Sequence, residues 1–219
     1  MLRLLFEKKG NAVWISHLDL MRLFQRAFQR AGLVLTHTQG FNPRPSVSIA
    51  MPLSVGVESC CELLDFQLEG ESYPLEEIAD RLNNALVSGI RVLRVYPAGK
   101  KLKELAYLDT RILMEYDGGV SEKDVSILRS LFEKDSLIVS KKSKNGIAEQ
   151  DIIPMIRSIQ FSLTDAHTVT VNARICCQNP SLNPVQLVAA IRYHCPDQAP
   201  SFASCSRLEI YDHNNEIFR

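Results

Sequence analysis

Apolar residues recur along this chain with two periods, and each predicts a different element. Leu20, Leu23, Phe24, Ala27, Phe28 and Ala31 are spaced by three and four residues, which places them on one face of a helix over 18–31. Gly32 is read as its stop. Before it, Arg3–Glu7 reads as a strand that Trp14–Ser16 continues after a turn. After it comes a Gly/Pro-punctuated loop, Thr36–Pro45, then short strands at Ser46–Met51 and Cys61–Leu68. In the second of these, Leu64, Phe66 and Leu68 alternate with Asp65 and Gln67. Pro74 opens a second helix with Leu75, Ile78, Ala79, Leu82, Ala85 and Leu86 inward, Gly89 closes it, and Ile90–Tyr96 is a strand.

The second half repeats this order loosely. Arg111–Tyr116 and Leu137–Lys142 read as strands around a helix capped by Ser121 and Asp124. Ser158–Leu163 and Thr168–Cys176 form a hairpin, Asn183–Pro184 starts a helix, and Arg207–Tyr211 is the last strand. The expected fold is α+β: two ferredoxin-like (split βαβ) domains in tandem, 1–98 and 106–219, joined by a linker over Pro97–Leu105.

Composition supports a globular chain: 219 residues, 46% hydrophobic and 23% charged. The N-terminus is too short and too charged for a signal peptide, and no apolar run approaches a membrane span, so a cytoplasmic location is expected. The six cysteines include two adjacent pairs, Cys60–Cys61 and Cys176–Cys177, a poor spacing for metal. No metal or cofactor is expected.

Net charge is zero, but its distribution is not even. Residues 1–57 hold seven Lys/Arg against Glu7 and Asp19, whereas residues 58–80 hold eight acids and no Lys or Arg. Two readings follow: an anion-binding face, or mutual neutralisation across neighbouring strands.

On the first helix Arg22, Arg26 and Arg30 form a row at four-residue spacing, with Gln25 and Gln29 beside it and Asp19 as the one nearby acid. Guanidinium forks in line suit phosphates; the alternatives are a solvated face, or arginines answered by the acidic stretch. In the loop, Gly40 permits a tight turn, and Pro43 and Pro45 stiffen their neighbours. Phe41, Asn42 and Arg44 are then held ready to stack on a base or grip a phosphate, unless Phe41 is tucked into the core. His17 begins the helix after Ser16, where it orders the helix start, contacts an anion, or serves as acid or base. Phosphate loops for ATP or dinucleotides and a nucleophile elbow are absent. The lysines at Lys141–Lys144 read as a solvated loop tip.

The segments Trp14–Arg22, Gln39–Pro45, Pro52–Glu58 and Glu62–Phe66 resemble the radical-SAM-linked protein family. That resemblance implies a bacterial protein encoded beside, or fused to, a cobalamin-binding radical SAM protein. Genes for a ribonuclease of the E/G type are often nearby. It brings no established activity. Its motif falls on His17, Asp19, Arg22, Gly40, Phe41, Asn42, Pro43 and Gly56. No Cys-x-x-x-Cys-x-x-Cys occurs, so the radical SAM protein is implied as a partner. The leading expectation is an accessory protein that binds RNA or presents an RNA substrate. A metal-independent endoribonuclease using His17, and a protein-interaction module docking through Met51–Val57, are the alternatives.

Overall fold

The computed structural model describes residues 1–70, 73–143 and 146–219. Glu71 of the acidic stretch lies outside the described residues, as do Lys144 and the side chains of Lys141 and Lys142 from the basic tip. The fold is α+β, in two compact units: residues 1–102 with Arg219, and residues 103–218.

Unit 1 runs β1 (Leu2–Lys8), α1 (His17–Arg30), β2 (Val47–Ile49), β3 (Val57–Phe66), α2 (Leu75–Ala85) and β4 (Ile90–Pro97). Its strands are antiparallel in the order β4-β1-β3-β2, with Leu4 opposite both Leu64 and Val95, and Val47 opposite Phe66. The helices cover one face. Leu4, Phe6, Leu64 and Phe66 from the strands meet Leu20, Phe24, Ala27 and Phe28 of α1 and Ile78 and Leu82 of α2. The Phe6 and Phe24 rings meet edge to face at 4.8 Å, an arrangement their quadrupoles favour.

Trp14–Ser16 does not continue β1. Gly10–Trp14 is a 3-10 turn, and Ser16 caps α1. The cause is Lys8, wholly buried at the end of β1, whose ammonium donates to the carbonyls of Val13 (3.2 Å) and Ile15 (2.7 Å) and draws the segment round. Gly89 closes the same corner. Its carbonyl accepts the Lys9 N–H at 2.8 Å, its φ is +87°, and a Cβ there would strike the Lys9 carbonyl and Ala12. At the other end of α1, Leu33 N–H bonds the Phe28 carbonyl and Gly32 N–H the Gln29 carbonyl, a Schellman stop that fixes where the following chain departs.

Unit 2 runs β5 (Leu105–Glu115), α3 (Glu122–Phe132), β6 (Ile138–Ser143), β7 (Gly146–Asp151), β8 (Ile156–Asp165), β9 (Thr168–Cys176), α4 (Pro184–His194) and β10 (Phe202–Asp212). Its main sheet is antiparallel in the order β10-β5-β9-β8. Capping boxes at Ser121/Asp124 and Asn183/Gln186 set the helix starts. The strand read at Leu137–Lys142 does not join this sheet. It is β6, and it pairs with β7 in a separate hairpin. Asp151 fastens that hairpin by accepting the N–H groups of Leu137 (2.9 Å) and Ile153 (3.1 Å). Among the described residues no helix is long and apolar enough to cross a membrane.

Candidate functional site

The polar side of α1 and the loop that follows it form the most distinctive surface of unit 1. Ser16 caps the helix: its hydroxyl accepts the Asp19 N–H at 3.2 Å and donates to the Asp19 carboxylate at 2.7 Å. Arg22 donates to the other Asp19 oxygen at 3.0 Å. The Ser16 hydroxyl, and then Arg22, hold the Asp19 carboxyl below its ordinary value. This ion pair is about two-thirds exposed on both sides, so it orients Arg22 and adds little stability.

The three arginines of the row differ in what they already hold. Arg30 donates to the carbonyl of Ala85, the last residue of α2, so it ties two helix ends together. Arg26 is exposed and has no hydrogen-bond or ion-pair partner among the described residues. All three, with Asp19, Leu23 and Val87, line an open groove of about 570 Å³. Arg26 also borders a second groove of about 570 Å³, together with Gln25, Gln29, Val34, His37 and Pro45. It therefore stands between the row and the root of the loop.

The loop is braced at its base. Ser46 N–H bonds the Thr36 carbonyl (2.7 Å), Thr38 N–H bonds the Arg44 carbonyl (2.8 Å), and Arg44 N–H bonds the Thr38 hydroxyl (3.1 Å). Thr36 N–H is tied to Gln67 and Glu69 N–H to Val34, which anchors this arm along the chain after β3. Gly40 adopts φ +139°, and Phe41, Asn42, Pro43 and Arg44 are all exposed. Phe41 is not tucked into the core: it is 104% exposed at the tip. Phe41, Asn42 and the Arg44 side chain have no partner among the described residues.

His17 is elsewhere. It is the first residue of α1, half-buried, and its Nδ1 is closed off from solvent with no hydrogen-bond partner among the described residues. That nitrogen is out of reach of a ligand, which leaves one ring nitrogen for acid–base work. The loop root meets the C-terminal half of α1, at Gln25–Gly32, and not the turn that carries His17. Gly56, at φ +82°, lets the chain pass under Trp14: its N–H bonds the Val13 carbonyl at 2.9 Å, and a Cβ would sit 3.4 Å from the indole. Trp14 and Val55 are exposed at 69% and 52%.

The acidic stretch does not answer the row. Its described pairs are with other groups: Asp65 with Arg3, Glu69 with His37, Glu77 with Arg81, and Glu58 with the Gly10 N–H. Two contributors went unseen in the sequence, Val34 and His37. Their signal is the alternation Leu33 buried, Val34 exposed, Leu35 buried, a strand-like period within what reads as loop. Burial pushes the Cys177 thiol up to about 12 and the Cys205 thiol to about 11, so both stay protonated at neutral pH. Among the described residues no group of His, Cys, Asp and Glu is arranged to hold a metal ion.

A family model described as an uncharacterized protein conserved in bacteria matches residues 1–184. Among solved structures, one chain in the crystal structure of a Cbf5-Nop10-Gar1 complex is similar with TM-score 0.52 and 8% identity. The match covers 95% of this chain and 48% of that one, so this chain spans about half the length of that neighbour. At such identity the likeness is one of fold alone. A crystal structure of an unknown protein from Galdieria sulphuraria matches at TM-score 0.27 and 10% identity over 94% of this chain and 95% of that one, and no argument rests on it. No curated protein matches.

Proposed function

We propose that this chain, which belongs to the DUF2344 family, is a cytoplasmic RNA-binding accessory protein of a radical SAM enzyme. Arg22 and Arg26 take backbone phosphates, Arg30 lines the same groove, and the Gly40–Pro45 loop presents Phe41, Asn42 and Arg44 to bases. The observation that carries this reading is the loop tip. A fully exposed phenylalanine stands on a hydrogen-bonded base beside an amide and a guanidinium without partners. Water exacts a hydrophobic cost for displaying that ring, and stacking on a base would recover it. The strand orders β4-β1-β3-β2 and β10-β5-β9-β8 support reading the units as ferredoxin-like split βαβ domains over 1–98 and 106–219. The resemblance of Trp14–Arg22 and Gln39–Pro45 supports the radical SAM protein as partner.

The test is filter binding of cellular RNA across a salt series. Wild type should bind at low salt, and Arg26→Glu with Arg44→Ala should weaken binding and flatten the log–log salt dependence by about 2, one per lost phosphate contact. Phe41→Ala should cost about tenfold while changing the salt dependence little. No retention of RNA by the wild type at low salt would sink the reading.

Exposed Trp14 and Val55 favour a second reading, docking on the radical SAM protein without nucleic acid. Co-purification of that protein should then survive nuclease and the arginine changes and be lost in Trp14→Ser. If nuclease abolishes it, RNA is the bridge. An endoribonuclease using His17 has less support, because its shielded Nδ1 halves the groups available for proton transfer.

A further inference from the structure

We propose that the open face of the β10-β5-β9-β8 sheet in unit 2 is a second binding surface, for the unpaired bases of single-stranded RNA. It stands on different residues from the unit 1 surface and goes beyond it. Alternation along the strands sends Leu108, Thr110, Ile112 and Met114 of β5, with Val169, Val171 and Ala173 of β9, into the core. The intervening residues therefore point the other way. On β5 these are Tyr107, Asp109, Arg111 and Leu113, and on β9 they are Thr170, Asn172 and Arg174. Tyr211 on β10 lies opposite Tyr107, and Ser158, Gln160 and Ser162 of β8 lie opposite Arg174, Asn172 and Thr170.

Two planar stacks are already formed on this face. The Arg174 guanidinium lies 3.9 Å over the Tyr211 ring, and Arg157 lies 4.9 Å over Tyr107 while donating to its hydroxyl at 2.9 Å. A nucleobase extends such a stack on either a ring or a guanidinium plane. Around the stacks stand Asn172, Gln160, Ser158, Ser162 and Thr170, amides and hydroxyls suited to base edges and the 2′-hydroxyl.

Charge selects the occupant. Asp109 is taken by Arg174, through bonds of 2.7 and 2.9 Å, and Glu209 accepts the Ile210 N–H, while Glu115 lies at the far end of β5. Arg111 and Arg157 are exposed, and among the described residues neither meets a carboxylate: Arg111 donates to Asn172 and Arg157 to Tyr107. A polyanion with flat, hydrogen-bonding side groups matches this surface better than an apolar protein face does, since Leu113 is the one large aliphatic among the residues named.

The test is fluorescence anisotropy at low salt with three labelled probes: a short single-stranded RNA, an abasic strand of the same length, and a blunt RNA duplex. Arg111→Glu with Arg157→Glu, both exposed positions, should weaken the single strand about tenfold or more and the abasic strand less. The Arg26→Glu, Arg44→Ala protein should retain binding that these further changes remove. Affinity equal to wild type in the Arg111/Arg157 variant overturns the proposal and leaves the unit 1 reading standing. Equal losses on all three probes also overturn it, because phosphate attraction alone would then suffice. No binding of any probe by wild type overturns both readings. Photo-crosslinking of wild type to thiouridine-substituted RNA is independent of variant folding. Adducts on peptides carrying Tyr107 or Tyr211 support the surface, and adducts confined to unit 1 overturn it.

Discussion

Each unit joins two neighbouring central strands of its sheet by one arginine–aspartate fork, and the two forks differ in how much water they see. In unit 1 Arg3 of β1 stands opposite Asp65 of β3 and donates at 2.6 and 2.9 Å. In unit 2 Arg174 of β9 stands opposite Asp109 of β5 and donates at 2.7 and 2.9 Å. Side-chain exposure is 1% and 12% in the first pair, 28% and 29% in the second. The bonding is nearly identical, so the difference isolates the surroundings. Attraction grows as water leaves, and so does the cost of a charge that loses its partner. The buried fork is a structural commitment. The half-exposed fork can be reopened and rearranged, which suits a surface that meets a ligand.

The largest expected effect is at the buried fork. Asp65→Ala leaves the Arg3 guanidinium buried without the carboxylate it forks onto, and should lower stability by about 3–5 kcal/mol in denaturant unfolding. Replacing both partners by apolar residues of similar volume, Arg3→Met with Asp65→Leu, should recover most of that loss, since no charge is then stranded. A cost for Asp65→Ala no larger than for Asp109→Ala would remove the distinction between the two forks.

What the sequence disclosed follows the range of the interactions involved. The Schellman stop at Gly32 and the caps at Ser121 and Asn183 were legible because each is settled within about five residues. The buried stripe of α1 was legible from its period. Neither fork was, because Arg3 and Asp65 are 62 positions apart and Asp109 and Arg174 are 65 apart. The tie between Arg30 and Ala85 is hidden for the same reason, so the row reads in sequence as three equivalent arginines while Arg26 is the one without a partner. β7 was missed because Gly146–Asp151, GIAEQD, has neither alternation nor β-branched content beyond Ile147, and pairing with β6 supplies its order. β5 was read from Arg111 onward because Thr110, a polar residue in the core, interrupts the pattern. Its hydroxyl donates to the Ser206 carbonyl at 2.9 Å, which satisfies it there. That interruption concealed Tyr107 and Asp109 as outward-facing residues. The candidate loop was legible as rigid from its prolines, but which way Phe41 points depended on the Thr36–Ser46 and Thr38–Arg44 bonds.

The smaller effect belongs to the half-exposed fork, and acid sharpens it. Asp109→Asn keeps the shape and removes the charge, and should cost about 1 kcal/mol at neutral pH, as expected for a well-aligned pair that solvent still screens. Burial is the largest single influence on the Asp109 carboxyl and acts to raise its pKa. The Arg174 bond, the Tyr211 hydroxyl and the Arg174 charge together outweigh it and bring the group below its ordinary value of 3.8. A carboxyl depressed in the folded state binds its proton more readily once unfolded, so the stability it confers is complete above that ordinary value. It is lost as the pH falls through the lower, folded value. The melting temperatures of wild type and Asp109→Asn should therefore differ at neutral pH and converge as acid protonates the folded carboxyl. Because Arg174 also stacks on Tyr211, the same acidification should loosen that ring, visible as a change in tyrosine fluorescence that Asp109→Asn already shows at neutral pH. If the difference in melting temperature stays constant down to the acid limit of the folded protein, Asp109 acts through packing and not through charge. The two forks would then differ in depth alone.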